Sequence, residues 1–150
     1  MTAPEVYKST ARDIEDVPMT DGRQYTYWSA YSIFIPNLKT GDVVDLRARF
    51  QVDNPQNYNA QVTYYIARGE PYGDTMPSLS ADLVMPVGGD DEAPHGHYNR
   101  IVLAIDRITG PVGDREYSLI LETASTAVTP GAALRLNSGY GGIEALVYRA

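Results

Sequence analysis

Apolar and polar residues alternate with a period of two along most of this chain. The clearest run has apolar side chains at Val44, Leu46, Ala48, Phe50 and Val52, with charged or amide side chains between them. Successive side chains of a β-strand point to opposite faces of the sheet. This run therefore predicts a strand with one buried and one solvated face.

Turn residues separate further segments that have strand patterns. These segments lie at 25–35, 58–66, 79–87, 101–105, 117–121, 134–136 and 143–148. Pro36 and Asn37 are expected to end the first of them, 44–52 and 58–66 are expected to form a hairpin or to be near neighbours, and 88–97 is expected to be a polar loop. About eight short strands without a crossover helix predict an all-β chain, a two-sheet antiparallel β-sandwich of jelly-roll type rather than an open barrel or an α/β fold.

The first 24 residues show neither a strand nor a helix period and are predicted to be an N-terminal arm. Thr10 and Asp13 resemble a capping pair that would start one helical turn at 11–16, but so short a helix needs a surface to pack against. That surface is either the chain's own sheet or a neighbouring molecule. We therefore divide the chain into an arm at 1–24 and a sandwich domain at 25–150.

Composition and charge exclude several classes of function. Twelve Lys and Arg against nineteen Asp and Glu give a net charge of -7, so a surface that neutralises nucleic-acid phosphates is not expected. The absence of cysteine excludes disulfides, thiolate nucleophiles and zinc–thiolate sites. No stretch approaches the roughly 20 apolar residues of a membrane-spanning helix, and the polar, acidic N-terminus does not predict classical secretion.

The two histidines form the main candidate for chemistry. His95 and His97 follow Asp90, Asp91 and Glu92, and such side chains can bind a divalent cation. The spacing is permissive, and an acidic loop is ordinarily only solvated, so we expect no metal site. No other carboxylates are paired, and neither a Gly-x-Ser-x-Gly elbow nor a phosphate-binding glycine loop is present. We therefore expect no catalytic residues, no cofactor and no enzymatic activity.

Twelve tyrosines and one tryptophan supply large rigid surfaces for packing or for contacts with partners. Most are expected to lie in the core or between subunits. Trp28 and Tyr72 are the first candidates for an exposed aromatic that stacks on a sugar.

The C-terminal third carries a specific order of elements. A strand of the form Tyr-x-Leu-x-Leu at 117–121 is followed by a short strand, an Asn/Ser/Gly turn at 137–142 and a terminal strand. In this order, residues 95–150 resemble the closing strands of jelly-roll domains in tailed-phage virion proteins, including head decoration proteins and fibre or tail attachment domains. The resemblance covers about a third of the chain.

The resemblance implies a virion structural protein that binds and stabilises the outer surface of a phage capsid, as a decoration or cement protein assembled in the host cytoplasm. The implied partners are further copies of this chain, as a homotrimer, and the major capsid protein, with neither nucleic acid nor membrane. An arm that crosses to a neighbouring subunit would add buried area to such an assembly. The side chains expected to contact partners are Tyr7, Ile14, Val17, Trp28, Tyr72, His95 and His97.

The alternative is a fibre, tail or carbohydrate-binding module on the same sandwich. Its loops would recognise a host glycan through Tyr72, Asp90, Asp91, His95 and His97.

Overall fold

A computed structural model describes residues 3–9, 15–18, 20–21, 26–55, 60–68, 88–92, 96–125, 133–136 and 141–150. Within these ranges every regular element is a β-strand. In chain order the strands are β1 (Glu5–Lys8), β2 (Glu15–Pro18), β3 (Thr20–Asp21), β4 (Thr26–Leu38), β5 (Val43–Asp53), β6 (Ala60–Arg68), β7 (Gly88–Glu92), β8 (His97–Arg107), β9 (Gly113–Ser125), β10 (Ala133–Leu136) and β11 (Gly142–Tyr148). The predicted all-β class is confirmed.

Sheet A is built around β5. Along one side β5 pairs over its whole length with β8, from Val43 opposite Arg107 to Asp53 opposite His97. On its other side it pairs with β11 and then, near Val52, with β10. Strands β1 and β2 pair with β11 and β10 in turn, and all these pairs are antiparallel. Among the described strands, β8 therefore lies at the edge of sheet A.

Sheet B is built around β9, which lies between β4 and β6. Both pairings are antiparallel, and β7 extends the sheet beyond β6. The two-residue strand β3 adds a short parallel pairing at the end of β9. The two sheets confirm the predicted antiparallel β-sandwich, whereas its jelly-roll type stays a prediction.

The main core lies between the two sheets. The five apolar positions of the alternating run, Val44 to Val52, are all buried, while the residues between them are exposed or half-buried. Tyr31, Ile33 and Ile35 of β4 and Tyr117, Leu119 and Leu121 of β9 belong to the same cluster. Removing this apolar surface from water is the principal force that holds the sheets together.

Residues 44–52 and 58–66 were expected to form a hairpin or to be near neighbours; the hairpin is wrong, because β5 belongs to sheet A and β6 to sheet B. Alternation shows that a strand has one buried face, but it does not show which neighbour completes the hydrogen-bond ladder. Here the partners of both strands come mainly from the C-terminal half of the chain.

Local sequence signals mispredicted three further segments. Gly88–Glu92 was expected in a loop and is strand β7, and Glu15–Pro18 overlaps the expected helical turn and is strand β2. Strand β4 does not end at Pro36 but runs to Leu38, with an irregular register after Ile35 and a positive φ of 57° at Asn37. Pairing with a neighbouring strand outweighed the local preference in each case.

The described parts of the predicted arm, β1 to β3, pair with strands of the sandwich. The domain boundary at residue 24 stays a prediction. The predicted strand at 79–87 and most of the turn at 137–142 lie outside the described residues. No helix in the described part of the chain is long and apolar enough to span a membrane.

Candidate interaction surface

An apolar stripe lies on the outer face of β8. Ile101, Leu103 and Ile105 are 75%, 62% and 56% exposed, whereas the alternate residues Val102 and Ala104 are buried in the core. Large apolar side chains that lie exposed side by side commonly mark a surface that a partner covers. We call the outer face of β8 from Ile101 to Ile105 the β8 stripe.

The β8 stripe was missed in the sequence because β8 is apolar on both of its faces. Residues 101–105 are Ile-Val-Leu-Ala-Ile, and the three bulkiest side chains would ordinarily face the core. The structure turns the two smaller ones inward, together with Asp106, which is only 2% exposed. A signal was present in the sequence, since five consecutive apolar residues in a strand leave apolar groups on both faces.

Charged residues on β5 border the β8 stripe. Asp45, Arg47 and Arg49 lie opposite Ile105, Leu103 and Ile101 in the ladder. Arg47 donates a hydrogen bond of 3.2 Å to Asp45 on the same strand. The outer face of sheet A is therefore apolar along its β8 edge and charged along its centre.

A cleft of about 580 Å³ opens on this face between β8 and β11. Ile101 and Leu103 line one side, Gly142 and Glu144 line the other side, and Arg47 and Arg49 of β5 line the cleft between them. Gly142 lies opposite Arg49 in the ladder, and Oγ of Ser9 lies 3.2 Å from the place that a Cβ of residue 142 would occupy. Lys8 of β1 approaches Glu144 to 3.6 Å at the far rim.

Two of the seven residues expected to contact partners have side chains that the structure describes. Tyr7 packs against the core of its own chain and donates a hydrogen bond of 2.7 Å to Glu5. His97 is exposed at the start of β8 and pairs with Asp53 of β5. The two residues lie on strands at opposite edges of sheet A, so the structure does not bring them into one site.

The other five expected contacts have no described side chain. Val17 and Trp28 have backbones in β2 and β4, opposite Leu134 and Leu121, and nothing more is described for them. Ile14, Tyr72 and His95 lie outside the described residues. Their role as partner contacts stays a prediction.

No group of three or more His, Asp or Glu side chains within the described ranges could hold a metal ion. The acidic part of the proposed cation loop, Asp90 to Glu92, lies in β7 and pairs with β6. His95 lies outside the described residues.

The chain has similarities to known proteins at the level of structure. No protein-family model matches the chain, and no curated protein is similar to it in sequence. Among solved structures, the chain is similar to the crystal structure of the enzymatically active domain of tailspike protein 4 from bacteriophage CBA120. The TM-score is 0.31 and the identity 11%, over 97% of this chain and 19% of the tailspike chain. The chain thus spans about a fifth of its neighbour.

The similarity to a phage tailspike domain, at a TM-score of 0.31, does not show a place in a virion, which stays a prediction. It does not distinguish a capsid decoration protein from a tail fibre. The neighbour's description as enzymatically active contradicts the expectation that this chain is not an enzyme, and that expectation is withdrawn. At this TM-score the similarity assigns no activity, substrate or site to the chain.

Proposed function

We propose that this protein is a structural component of a phage virion and that it assembles through the β8 stripe with a second copy of itself. The observation that carries the proposal is the exposure of Ile101, Leu103 and Ile105 on a strand at the edge of sheet A. Full burial of such a side chain is favourable by about 1.5–3 kcal/mol, and contact with the neighbouring apolar side chains of a second copy gains part of this.

The backbone of β8 supports this assembly. The strand is 11 residues long, and among the described strands it pairs only with β5. A long edge strand with apolar side chains presents N–H and C=O groups that can extend the sheet into another molecule.

The outward-facing residues of β8 follow nearly the same order in both directions along the strand. This near-symmetry suits antiparallel pairing with a second copy of the chain. An antiparallel copy centred on Leu103 would place Leu103 opposite itself and Ile101 opposite Ile105. Further out, Arg107 would lie opposite Asn99, so no like charges on this face would meet directly. Such a contact has two-fold symmetry, in which the same patch on both chains forms the interface.

The second part of the proposal concerns the binding partner of this protein on the virion. We propose that the paired chains attach to the outer surface of a capsid as a decoration protein, because an assembly with two or more copies can contact a repetitive surface at several points. The predicted homotrimer differs from a two-fold pair, and the mass in solution distinguishes them.

The test is the mass in solution by light scattering, for the natural chain and for Leu103→Lys. We expect the natural chain to have twice the mass of one chain and the Leu103→Lys variant to be monomeric, because a lysine at the two-fold axis would face a second lysine. Val6→Lys is the matched control, since Val6 is 56% exposed on β1 at the opposite edge of sheet A. This control should keep the natural mass.

Co-sedimentation with undecorated capsids then tests the place on the particle. The natural chain and Val6→Lys should co-sediment at a fixed ratio to the capsid protein, and Leu103→Lys should bind more weakly. A monomeric natural chain, or a Leu103→Lys variant of unchanged mass, would contradict assembly through the β8 stripe. A natural chain that forms a dimer but does not co-sediment with capsids would support assembly through the β8 stripe and contradict the decoration role.

A further inference from the structure

Pairing through β8 enlarges the surface that the protein presents, and this inference rests on the proposed function. Residues that lie opposite each other in an antiparallel ladder have their side chains on the same face of the sheet. The outer faces of both copies of sheet A therefore point to the same side in the two-fold pair. The β8 stripe of each copy stays open on that face, because a strand added at an edge covers the edge and leaves the face free.

The two stripes together form one apolar patch in the middle of the paired sheets. Leu103 of each copy lies at the centre, and Ile101 of one copy lies beside Ile105 of the other on either side of it. Large exposed apolar side chains that lie together in this way mark a surface that a further partner covers. We call these side chains of both copies the paired patch.

Two arginines lie at opposite ends of each stripe. Arg49 of β5 is opposite Ile101 in the ladder, and Arg107 follows Ile105 by two residues on β8 and so shares its face. Both arginine side chains are exposed, and within the described part of the chain neither forms an ion pair or a hydrogen bond. Their guanidinium groups are therefore available to a partner.

The cleft of about 580 Å³ lies beside the stripe and also has an uncompensated cation. Lys8 pairs with Glu144, and Arg47 pairs with Asp45, whereas Arg49 lines the cleft without a counter-charge among the described residues. The cleft thus gives a partner side chain a place beside the apolar stripe and next to a free guanidinium.

Pairing brings free arginines of the two copies towards each other at each end of the paired patch. In the register centred on Leu103, Arg107 of the second copy lies opposite Asn99, while Arg49 lies beside Ile101 of the first copy. The Cα atoms of these two arginines are then two strand spacings apart across the sheet and two residues apart along it, a distance of about 12 Å. Two-fold symmetry repeats this arrangement at the other end.

We propose that the paired patch binds a segment of another virion protein that has apolar side chains in its middle and aspartate or glutamate at both ends. Burial of the apolar side chains favours binding, and carboxylates match the forked N–H donors of the guanidinium groups. A basic segment of the same length would bring like charges together and is disfavoured.

Binding is tested with fluorescently labelled synthetic peptides by fluorescence anisotropy. The probe peptide has a run of leucines with glutamates at both ends. One comparison peptide has lysines in place of the glutamates, and another has serines in place of the leucines. We expect one probe peptide per two chains, weaker binding as salt is added, and an affinity at least about tenfold lower for both comparison peptides.

Arg49→Gln and Arg107→Gln are the decisive variants, because both side chains are exposed and their loss leaves the core intact. Each should weaken binding of the probe peptide about tenfold, the equivalent of one hydrogen bond to a charged group. Arg135→Gln is the matched control, since it removes the same charge from an exposed position on β10, and it should bind as the natural chain does.

The mass in solution, measured on the same samples, separates failure of this inference from failure of the proposed assembly. A dimer that binds the glutamate and lysine peptides equally would overturn the acidic partner and leave the pairing in place. So would an affinity that is unchanged in both decisive variants, or that falls equally in Arg135→Gln. A monomeric natural chain would overturn both proposals.

Vesicles of phosphatidylcholine, with and without phosphatidylserine, test an anionic membrane as the other partner of such a surface. We expect no binding to either. Binding that requires phosphatidylserine, in a dimer that does not bind the probe peptide, would overturn the protein partner and assign the paired patch to a lipid surface.

Discussion

Arg149 holds Glu5 through two parallel hydrogen bonds, from Nε and Nη2 to the two carboxylate oxygens, each 3.0 Å long. The same guanidinium donates to the backbone oxygens of Pro36 and Asn37 and to the buried carboxylate of Asp42. One side chain near the C-terminus thus joins strand β1, the end of β4 and the turn before β5.

Replacing Arg149 by alanine should destabilise the protein by about 2–4 kcal/mol, because Asp42 would then stay buried without its charged partner. The free energy of unfolding in urea measures the effect. Arg47→Ala is the control, since its ion pair with Asp45 is exposed and should contribute less than about 1 kcal/mol. An equal loss of unfolding free energy in the two variants would show that the Arg149 contacts contribute no more to stability than a surface ion pair.

Acid should destabilise the protein over a defined pH range. The hydrogen bonds from Arg149 and Tyr7 lower the pKa of Glu5 from 4.5 to about 2. Burial raises the pKa of Asp42, but the hydrogen bonds from Ala150, Lys39 and Arg149 outweigh it, and the net pKa is lowered. The unfolded chain therefore binds protons that the folded chain does not, and stability should fall as the pH decreases from about 4.5 towards 2.

Thermal unfolding at a series of pH values measures this dependence. Glu5→Gln should flatten the curve between pH 4.5 and 2, because it removes a group whose pKa is lowered in the folded state. Arg149→Gln should flatten it as well, since it removes the partner that lowers the pKa. A curve of natural steepness in both variants would assign the acid sensitivity to other carboxyl groups.

Asp106 and Tyr117 should differ in their contributions to stability. Asp106→Asn removes the buried carboxylate that accepts hydrogen bonds from Arg68, Arg115 and Tyr117, and it should cost about 3 kcal/mol. Tyr117→Phe removes one hydrogen bond to a charged group and should cost about 1.5 kcal/mol. Urea unfolding of both variants gives the comparison, and a larger loss for Tyr117→Phe would mean that packing around the phenol, not the charge balance, dominates.

Gly141 leaves no room for a side chain beside Tyr31. A Cβ at this position would contact the Tyr31 hydroxyl and would lie 2.6 Å from Cζ of the ring. Because Tyr31 is fully buried, the ring cannot move aside, and Gly141→Ala should destabilise the fold by about 2 kcal/mol. Adding Tyr31→Phe should recover part of this loss in a double-mutant cycle. Strictly additive effects would show that the two positions do not contact each other.

Much of the fold follows from the sequence pattern. The alternation from Val44 to Val52 predicted both the strand and its buried face, because charged and apolar residues occupy strictly opposite positions there. The Tyr-x-Leu-x-Leu pattern at 117–121 likewise predicted a strand whose Tyr117, Leu119 and Leu121 are buried. Where one face is polar, solvent alone decides the orientation.

The candidate sites depend on contacts between residues far apart in the chain. The pattern at 101–105 predicted a strand but not its orientation, because both faces are apolar and burial alone favours either one. The orientation seen here places Asp106 on the inner face, where Arg68 and Arg115 neutralise it and Tyr117 donates a hydrogen bond. These partners come from β6 and β9, which no local pattern connects to β8.

The sequence by itself thus determined the all-β class, the approximate positions of many of the strands and the buried face of those with one polar side. Only the tertiary structure decided which strands pair, and hence that β5 and β6 lie in different sheets. It also turned Ile101, Leu103 and Ile105 outward. The physical reason is that the hydrophobic effect has no direction and acts locally on any apolar face, whereas strand pairing and buried ion pairs require specific partners that only the folded chain brings together.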